Sequence, residues 1–352
     1  MVHGGIHIMK RRLSAVLMLG VAALLAACTG GGGDTTPSAD ATGAQDVPQI
    51  EQAIPEKYRG TATAFAAFRA IDACGMHDVE AAKQVTGDKG DKILPDQDGL
   101  HLCTLEMHKS ELESTWTFDL EVGALFESAA RSEAAPETVG GMQVFTRETD
   151  RGCSLSKPLD DTHAVELRTS TFTGATKKPC DVVREYAAKL APIWNDPPKR
   201  GSGVTSPTLD LASMDPCTAA AAVLETAGPG SELRPSGVFG CSVTPAVDPN
   251  APPQKTRTDT SVEFVMDEDP ASLVKAGIQT AREIMIDRFR GVVNERSTGC
   301  ITYVVWDPDT AVAVDQQSED AFPALQLIRV EAPDCDRAQA AARKVMAKVG
   351  SR

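Results

Sequence analysis

From Leu13 to Ala27 the chain runs apolar, broken mainly by Ser14 and Gly20, and no later stretch is as long. Downstream the apolar positions become periodic. The segment STWTFDLEV places Trp116, Phe118, Leu120 and Val122 on one side and Thr117, Asp119 and Glu121 on the other. That alternation predicts a half-buried strand. SVEFVM repeats it with Val262, Phe264 and Met266, GMQVFTRE and EIMIDRFRGVVNE each predict one further strand, and CITYVVW, AVAV and LQLIRV add three apolar runs. Helical spacing takes over where Val183, Ala187 and Leu190, and again Ala338, Ala342 and Val345, fall on one stripe, predicting helices that start at Asp181 and Asp336. Another helix is predicted from Pro216. The Asp215 carboxylate can accept its orphaned N–H groups, and proline loses nothing at a first helical position. Asp72 is expected to cap a helix in the same way, and TATAFAAFRA predicts an earlier one packing through Phe65 and Phe68.

These elements recur in a fixed order with the cysteines. AIDACGMHDVEAAKQVTG around Cys74 parallels SMDPCTAAAAVLETAG around Cys217, and GLHLCTLEM around Cys103 parallels VFGCSVTP around Cys241. DRGCSLSKPL around Cys153 parallels RSTGCITYVVW around Cys300, and KPCDVVREYAAKL around Cys180 parallels PDCDRAQAAARKV around Cys335. Four contexts in the same order indicate an internal duplication. Each copy reads as helix, several strands, helix, so the expected fold class is α+β. It comprises two similar domains, each a mostly antiparallel sheet with N- and C-terminal helices packed on it. The expected boundaries are residues 60–191 and 209–352, joined by a Pro- and Gly-containing linker at 192–208 in which Trp194 packs on the first domain.

The leader changes how the cysteines are read. Lys10, Arg11 and Arg12 precede the apolar run, which ends in small residues before Cys28, the layout of an export signal over residues 1–27. LAAC, Leu25 to Cys28, resembles the lipobox of bacterial lipoproteins, which implies cleavage before Cys28 and a lipid on its sulfur. Residues 28–59, rich in Gly, Thr, Asp and Pro, then read as a tether. Of nine cysteines, eight remain: an even number in an exported chain, without a Cys-x-x-Cys pair. Eight cysteines allow on the order of a hundred pairings. The simplest keeps each bond inside its own copy, joining Cys74 to Cys103, Cys153 to Cys180, Cys217 to Cys241 and Cys300 to Cys335.

Charge narrows the partners. Without the three basic residues of the leader, 32 basic side chains face 49 acidic ones, a formal charge of −17. Such a surface repels phosphate backbones, so no nucleic acid is expected as a partner. It offers no polybasic patch for anionic lipid, which leaves the lipid anchor as the expected membrane contact.

The lipobox, Asp215-Pro216-Cys217 at a helix start, Gly240-Cys241 on a strand and the late Cys335-Asp336 helix together resemble the actinobacterial lipoprotein family known as domain of unknown function 3558, here as two tandem copies. The first copy departs from the pattern with Asp72-Ala73-Cys74, and neither Cys103 nor Cys241 is followed by the family's usual residue plus tryptophan. The resemblance implies a secreted, lipid-anchored protein.

Candidate chemistry is sparse. No Gly-x-Ser-x-Gly, His-Glu-x-x-His, phosphate-binding loop or dinucleotide fingerprint occurs, so neither a catalytic residue nor a cofactor is expected. His77, His101, His108 and His163 match no metal-ligand spacing, and the acidic runs MDEDP and WDPDT read as solvated turns rather than as calcium loops. Phe289 and Trp306 could line a ligand cleft, although each also suits a sheet core. The function expected is therefore non-catalytic: an extracytoplasmic lipoprotein that binds a small molecule, a lipid or an envelope protein, with the groove between the copies as the leading site. The alternatives are an enzyme acting on envelope material through carboxylates such as Asp119, Glu121 or Asp287, and a structural spacer without a ligand site.

Overall fold

The computed structural model describes residues 53–88, 92–95, 99–110, 113–149, 152–171, 176–201, 209–246, 259–310, 312–313 and 323–350. The leader and Cys28 lie outside the described residues, as does much of the segment read as tether and linker.

The first half opens with helix α1 (Glu56–Arg69), a 3₁₀ turn at Cys74–Met76 and helix α2 (Val79–Thr86). Three strands follow, β1 (Lys92–Pro95), β2 (Leu102–Ser110) and β3 (Glu113–Leu125), then the short helix α3 (Ser128–Ser132). Strands β4 (Ala135–Val139), β5 (Met142–Glu148), β6 (Gly152–Pro158) and β7 (His163–Thr171) lead into helix α4 (Pro179–Asn195). The second half repeats the series with a 3₁₀ turn at Asp210–Ser213, α5 (Pro216–Leu224), β8 (Glu232–Gly237), β9 (Gly240–Thr244), β10 (Thr260–Asp267) and α6 (Ala271–Lys275). It continues through β11 (Ala281–Ile286), β12 (Phe289–Arg296), β13 (Gly299–Val305), the two-residue β14 (Val312–Ala313), β15 (Pro323–Ala332) and α7 (Cys335–Val349).

Both sheets are antiparallel and share one strand order. The first runs β1-β2-β3-β7-β6-β5-β4; the second, read from the corresponding edge, runs β8-β9-β10-β15-β13-β12-β11, with β14 beside β15. The α+β class is thus seen in both halves, and the duplication extends to register. One cross-strand row reads Cys103, Leu120, Leu167, Leu155 in the first sheet and Cys241, Val262, Val330, Thr302 in the second. Two residues along, the pair Thr169, Cys153 matches Ala332, Cys300. Register is fixed when a one-residue slip would turn the apolar set to the other face, and here Leu120, Leu167 and Val262 are fully buried.

Each sheet carries its long helices on one face. Val182, Val183, Tyr186, Ala187 and Leu190 of α4 are fully buried, as are Ala338, Ala342 and Val345 of α7. The two halves share a continuous apolar core. At their junction Arg69 donates to the Val238 carbonyl (2.9 Å) and pairs with Asp215 (3.3 Å). Arg200 donates to the carbonyls of Arg69 and Leu100 and lies over the Phe239 ring.

Several expected elements differ in detail. EIMIDRFRGVVNE forms a hairpin rather than one strand, because Asp287 takes a left-handed conformation (φ 52°) that only short polar side chains and glycine adopt readily. The matching turn in the first sheet uses Gly140 and Gly141, both at positive φ. Asp72 caps only the 3₁₀ turn, accepting from Gly75 N–H at 3.1 Å; the α-helix starts later, where Asp78 accepts from Ala81 N–H at 3.0 Å. Asp215 does cap its helix, accepting from Cys217 N–H at 3.1 Å. The last helices begin slightly earlier than expected, at Pro179 and Cys335. Helix α1 starts at Glu56, inside the segment assigned to the tether, and α4 runs through Pro192 to Asn195, inside the segment assigned to the linker. Trp194 is therefore a helical core residue, 2% exposed.

Candidate functional site

The eight cysteines form four disulfides, each within its own half: Cys74–Cys103, Cys153–Cys180, Cys217–Cys241 and Cys300–Cys335. In both copies the first bond ties the opening helical segment to the second strand and the second ties the sixth strand to the closing helix. These cysteines are structural, and closing loops of 24 to 35 residues contributes roughly 3 to 4 kcal/mol each in the chain-entropy account. No described helix is long and apolar enough to cross a membrane.

The histidines are distributed among structural roles. His77 is buried beside the first disulfide. Its Nε2 lies 3.1 Å from the Cys103 carbonyl, which can only accept, so Nε2 carries the proton and Nδ1 accepts from the Tyr186 hydroxyl at 3.1 Å. The Tyr186 oxygen in turn accepts from Asp78 N–H at 3.1 Å. Burial pushes the His77 pKa down to about 4 and raises that of Tyr186. His163 packs edge-on against Phe65 and Phe68 of α1, with Nδ1 2.9 Å from Asp160. His101 rests against Phe239 at the junction, its Nε2 3.7 Å from Glu121, and His108 Nε2 lies 3.3 Å from Glu106.

The acidic residues named as candidates are likewise engaged separately. Asp119 accepts from the Thr104 hydroxyl (2.9 Å), and Glu121 pairs with Arg168 (2.9 Å). Burial works to raise the Glu121 pKa, but His101 and Arg168 outweigh it and hold the carboxyl below its ordinary value. Asp287 sits in the β11–β12 turn of the other half, and none of the three lines a described cavity. In the two acidic runs, Asp269 accepts from Ala271 N–H and holds Arg290 at 2.7 Å, while Asp307 accepts from Asp309 N–H at 2.9 Å.

The junction expected to hold a groove is packed. Gly123 (φ 84°) approaches so closely that a Cβ there would stand 2.7 Å from Val238 and 2.8 Å from Phe68. Each described cavity is instead walled from within one half. One of about 140 Å³ lies by α3, with Phe126, Phe145, Arg147 and Glu166 among its walls. Another, of about 320 Å³, lies by α6 around the Arg290–Asp269 pair.

A third cavity, of about 430 Å³, carries the best-equipped walls. Its aromatic wall is Phe289, at the start of β12, and Trp306, just past β13. The two rings are parallel within 7° with centroids 6.3 Å apart, and both are only partly buried. Arg288 reaches over the Phe289 ring (5.0 Å to its centroid) and donates to the Gly350 carbonyl at 2.9 Å, tying the hairpin to the end of α7. Asp307 follows Trp306, and Asp210 and Ser213 enter from the 3₁₀ turn. The volume falls within the usual ligand-pocket range, about 300 to 1,000 Å³. An aromatic wall beside groups of both signs can receive a ligand that is flat and apolar on one face and hydrogen-bonding at its edge.

Sequence reading named Phe289 and Trp306 as possible ligand-cleft residues without joining them, and left Arg288 and Asp210 out. The signal for Arg288 is the charged pair Asp287-Arg288, which interrupts the apolar positions of the segment EIMIDRFRGVVNE. No family model, no curated protein and no solved structure matches the chain.

Proposed function

We propose that this chain is a non-catalytic extracytoplasmic lipoprotein, anchored through Cys28, that binds a small envelope ligand in the cavity of the second half. The observation that carries the reading is the parallel Phe289–Trp306 pair opening onto a cavity with Arg288, Asp210 and Asp307 at its walls. The four disulfides fit an oxidising compartment, and the leader before Cys28 supplies the route to it. With acyl chains on Cys28, the 24 residues between Cys28 and Ala53 give the folded body reach from the membrane surface.

Tryptophan fluorescence tests the binding half. Of the three tryptophans, Trp116 and Trp194 are each 2% exposed, so collisional quenching reports mainly on Trp306. Envelope extract should protect Trp306 from iodide in a saturable way; a quenching curve unchanged by every extract fraction refutes the cavity. Membrane attachment is tested by Cys28→Ser, which should release the processed chain from washed membranes; retention of the processed variant refutes the anchor.

A further inference from the structure

The ligand cavity belongs to the second copy alone, and its composition narrows what it can hold. The shared register identifies the corresponding positions in the first copy. The Val139–Met142 hairpin pair of β4 and β5 matches the Ile286–Phe289 pair of β11 and β12, so Met142 stands where the second copy has Phe289. Counting from Cys153 and Cys300 along β6 and β13, Leu159 stands in place of Trp306 and Asp160 in place of Asp307. Both aromatic rings are thus replaced by aliphatic side chains, while the aspartate is common to the two. In the first copy that aspartate is turned inward, accepting from the backbone of Thr162 and His163 and from the His163 ring. In the second copy Asp307 lines the cavity and accepts from Asp309 N–H at 2.9 Å.

Resting on the ligand cavity proposed above, we infer that it binds a pyranose glycan. A hexopyranose presents axial C–H bonds on its faces and hydroxyls around its rim. The parallel Phe289 and Trp306 rings match the apolar face. The Asp210 and Asp307 carboxylates accept from hydroxyls, and the Arg288 guanidinium donates to ring or hydroxyl oxygens. Competing ligand classes fit less well. A fatty chain would take the exposed Asp210 carboxylate out of water and offer it no hydrogen-bond donor in return. An anion would meet two carboxylates against one guanidinium.

The test uses the mature chain with Trp306 as reporter. The panel is short oligomers of glucose, mannose, galactose and N-acetylglucosamine at millimolar concentration, with decanoate, inorganic phosphate and tetramethylammonium as non-sugar probes. At least one sugar should protect Trp306 from iodide with saturation. Phe289→Ala should weaken that binding about tenfold, roughly the loss of one stacked ring. Asp210→Asn, at an exposed position, should weaken it severalfold and serves if Phe289→Ala unfolds. Presenting the bound sugar free and as a headgroup on phosphatidylcholine vesicles separates a soluble glycan from a glycolipid, and protection by either supports the inference. Protection by a non-sugar probe with none by any sugar overturns the glycan and leaves the cavity standing. No protection by sugars, probes or envelope extract overturns the glycan and the ligand cavity together.

Discussion

Replacing His77 by glutamine should make the fold less sensitive to acid. In the native state the imidazole is enclosed, donates from Nε2 to the Cys103 carbonyl and accepts at Nδ1 from Tyr186, which leaves no place for a second proton. Burial accordingly holds its pKa near 4, against 6.5 for the free side chain, despite the opposing pull of the Cys103 carbonyl. Above the unfolded value both states are neutral and the group adds no pH dependence. As pH falls below it, the unfolded chain takes up a proton that the folded chain refuses, so stability declines until the folded value is reached and is level below that. The gap corresponds to roughly 3 kcal/mol, an order-of-magnitude figure.

Glutamine keeps a donor for Cys103 and an acceptor for Tyr186 but does not titrate. Urea unfolding of both proteins with disulfides intact, from about pH 7.5 to about pH 3.5, isolates the histidine, because carboxylate contributions are common to the pair. The stability advantage of the parent over His77→Gln should shrink by roughly 3 kcal/mol across that range. Parallel pH profiles for the two proteins would refute the assignment of a buried neutral imidazole.

Three further outcomes follow from the packing. Gly123→Ala should cost about 2 to 4 kcal/mol in denaturant unfolding, because a Cβ there meets both backbone strain and the Val238 and Phe68 side chains; Gly141→Ala, at φ 81° in open space, should cost only about 1 kcal/mol. Arg69→Leu should leave the Val238 carbonyl unpaired at the junction and split thermal unfolding into two calorimetric transitions, one for each half; a single unchanged transition would show that the junction does not couple them. The double change Cys153→Ser with Cys180→Ser should lower stability by roughly 3 to 4 kcal/mol, measured against the parent under oxidising conditions.

The parts of the fold legible in the sequence are those where one face is buried and the other wet. Trp116 to Val122 alternates, and β3 buries the set it marks. The cysteine contexts were equally legible, because a disulfide needs its two partners at fixed places in the fold and each copy carries the same four. What was missed lacks such contrast. Strand β8, Glu232–Gly237, contains Pro235 and lies between turns at 229–230 and 238–239, so it carries little strand signal; it is an edge strand, where proline is tolerated, covered by α1. Strand β4, Ala135–Val139, is likewise an edge, mostly exposed, and holds Pro136. The Asp287 turn was hidden because its left-handed residue is an aspartate where the other copy uses glycine.

The duplication also explains why the candidate site was harder to read than the fold. Comparison of the two copies picks out what they share, and what they share is the cysteine rows, the hairpin positions and the helix caps, all of which hold the scaffold together. A site present in one copy is visible only as a difference, and differences are legible only once register is known. Without it, Phe289 aligns with nothing and Trp306 is one aromatic at the end of an apolar run. With it, Phe289 stands opposite Met142 and Trp306 opposite Leu159, at two positions that flank the same cavity in the second copy. The first copy holds non-aromatic side chains there, Met142 buried and Leu159 exposed. The second copy instead places two parallel rings there, partly exposed, beside an arginine and two aspartates that line the same cavity. That departure from the first copy is the physical ground for looking for function there before anywhere else in the molecule.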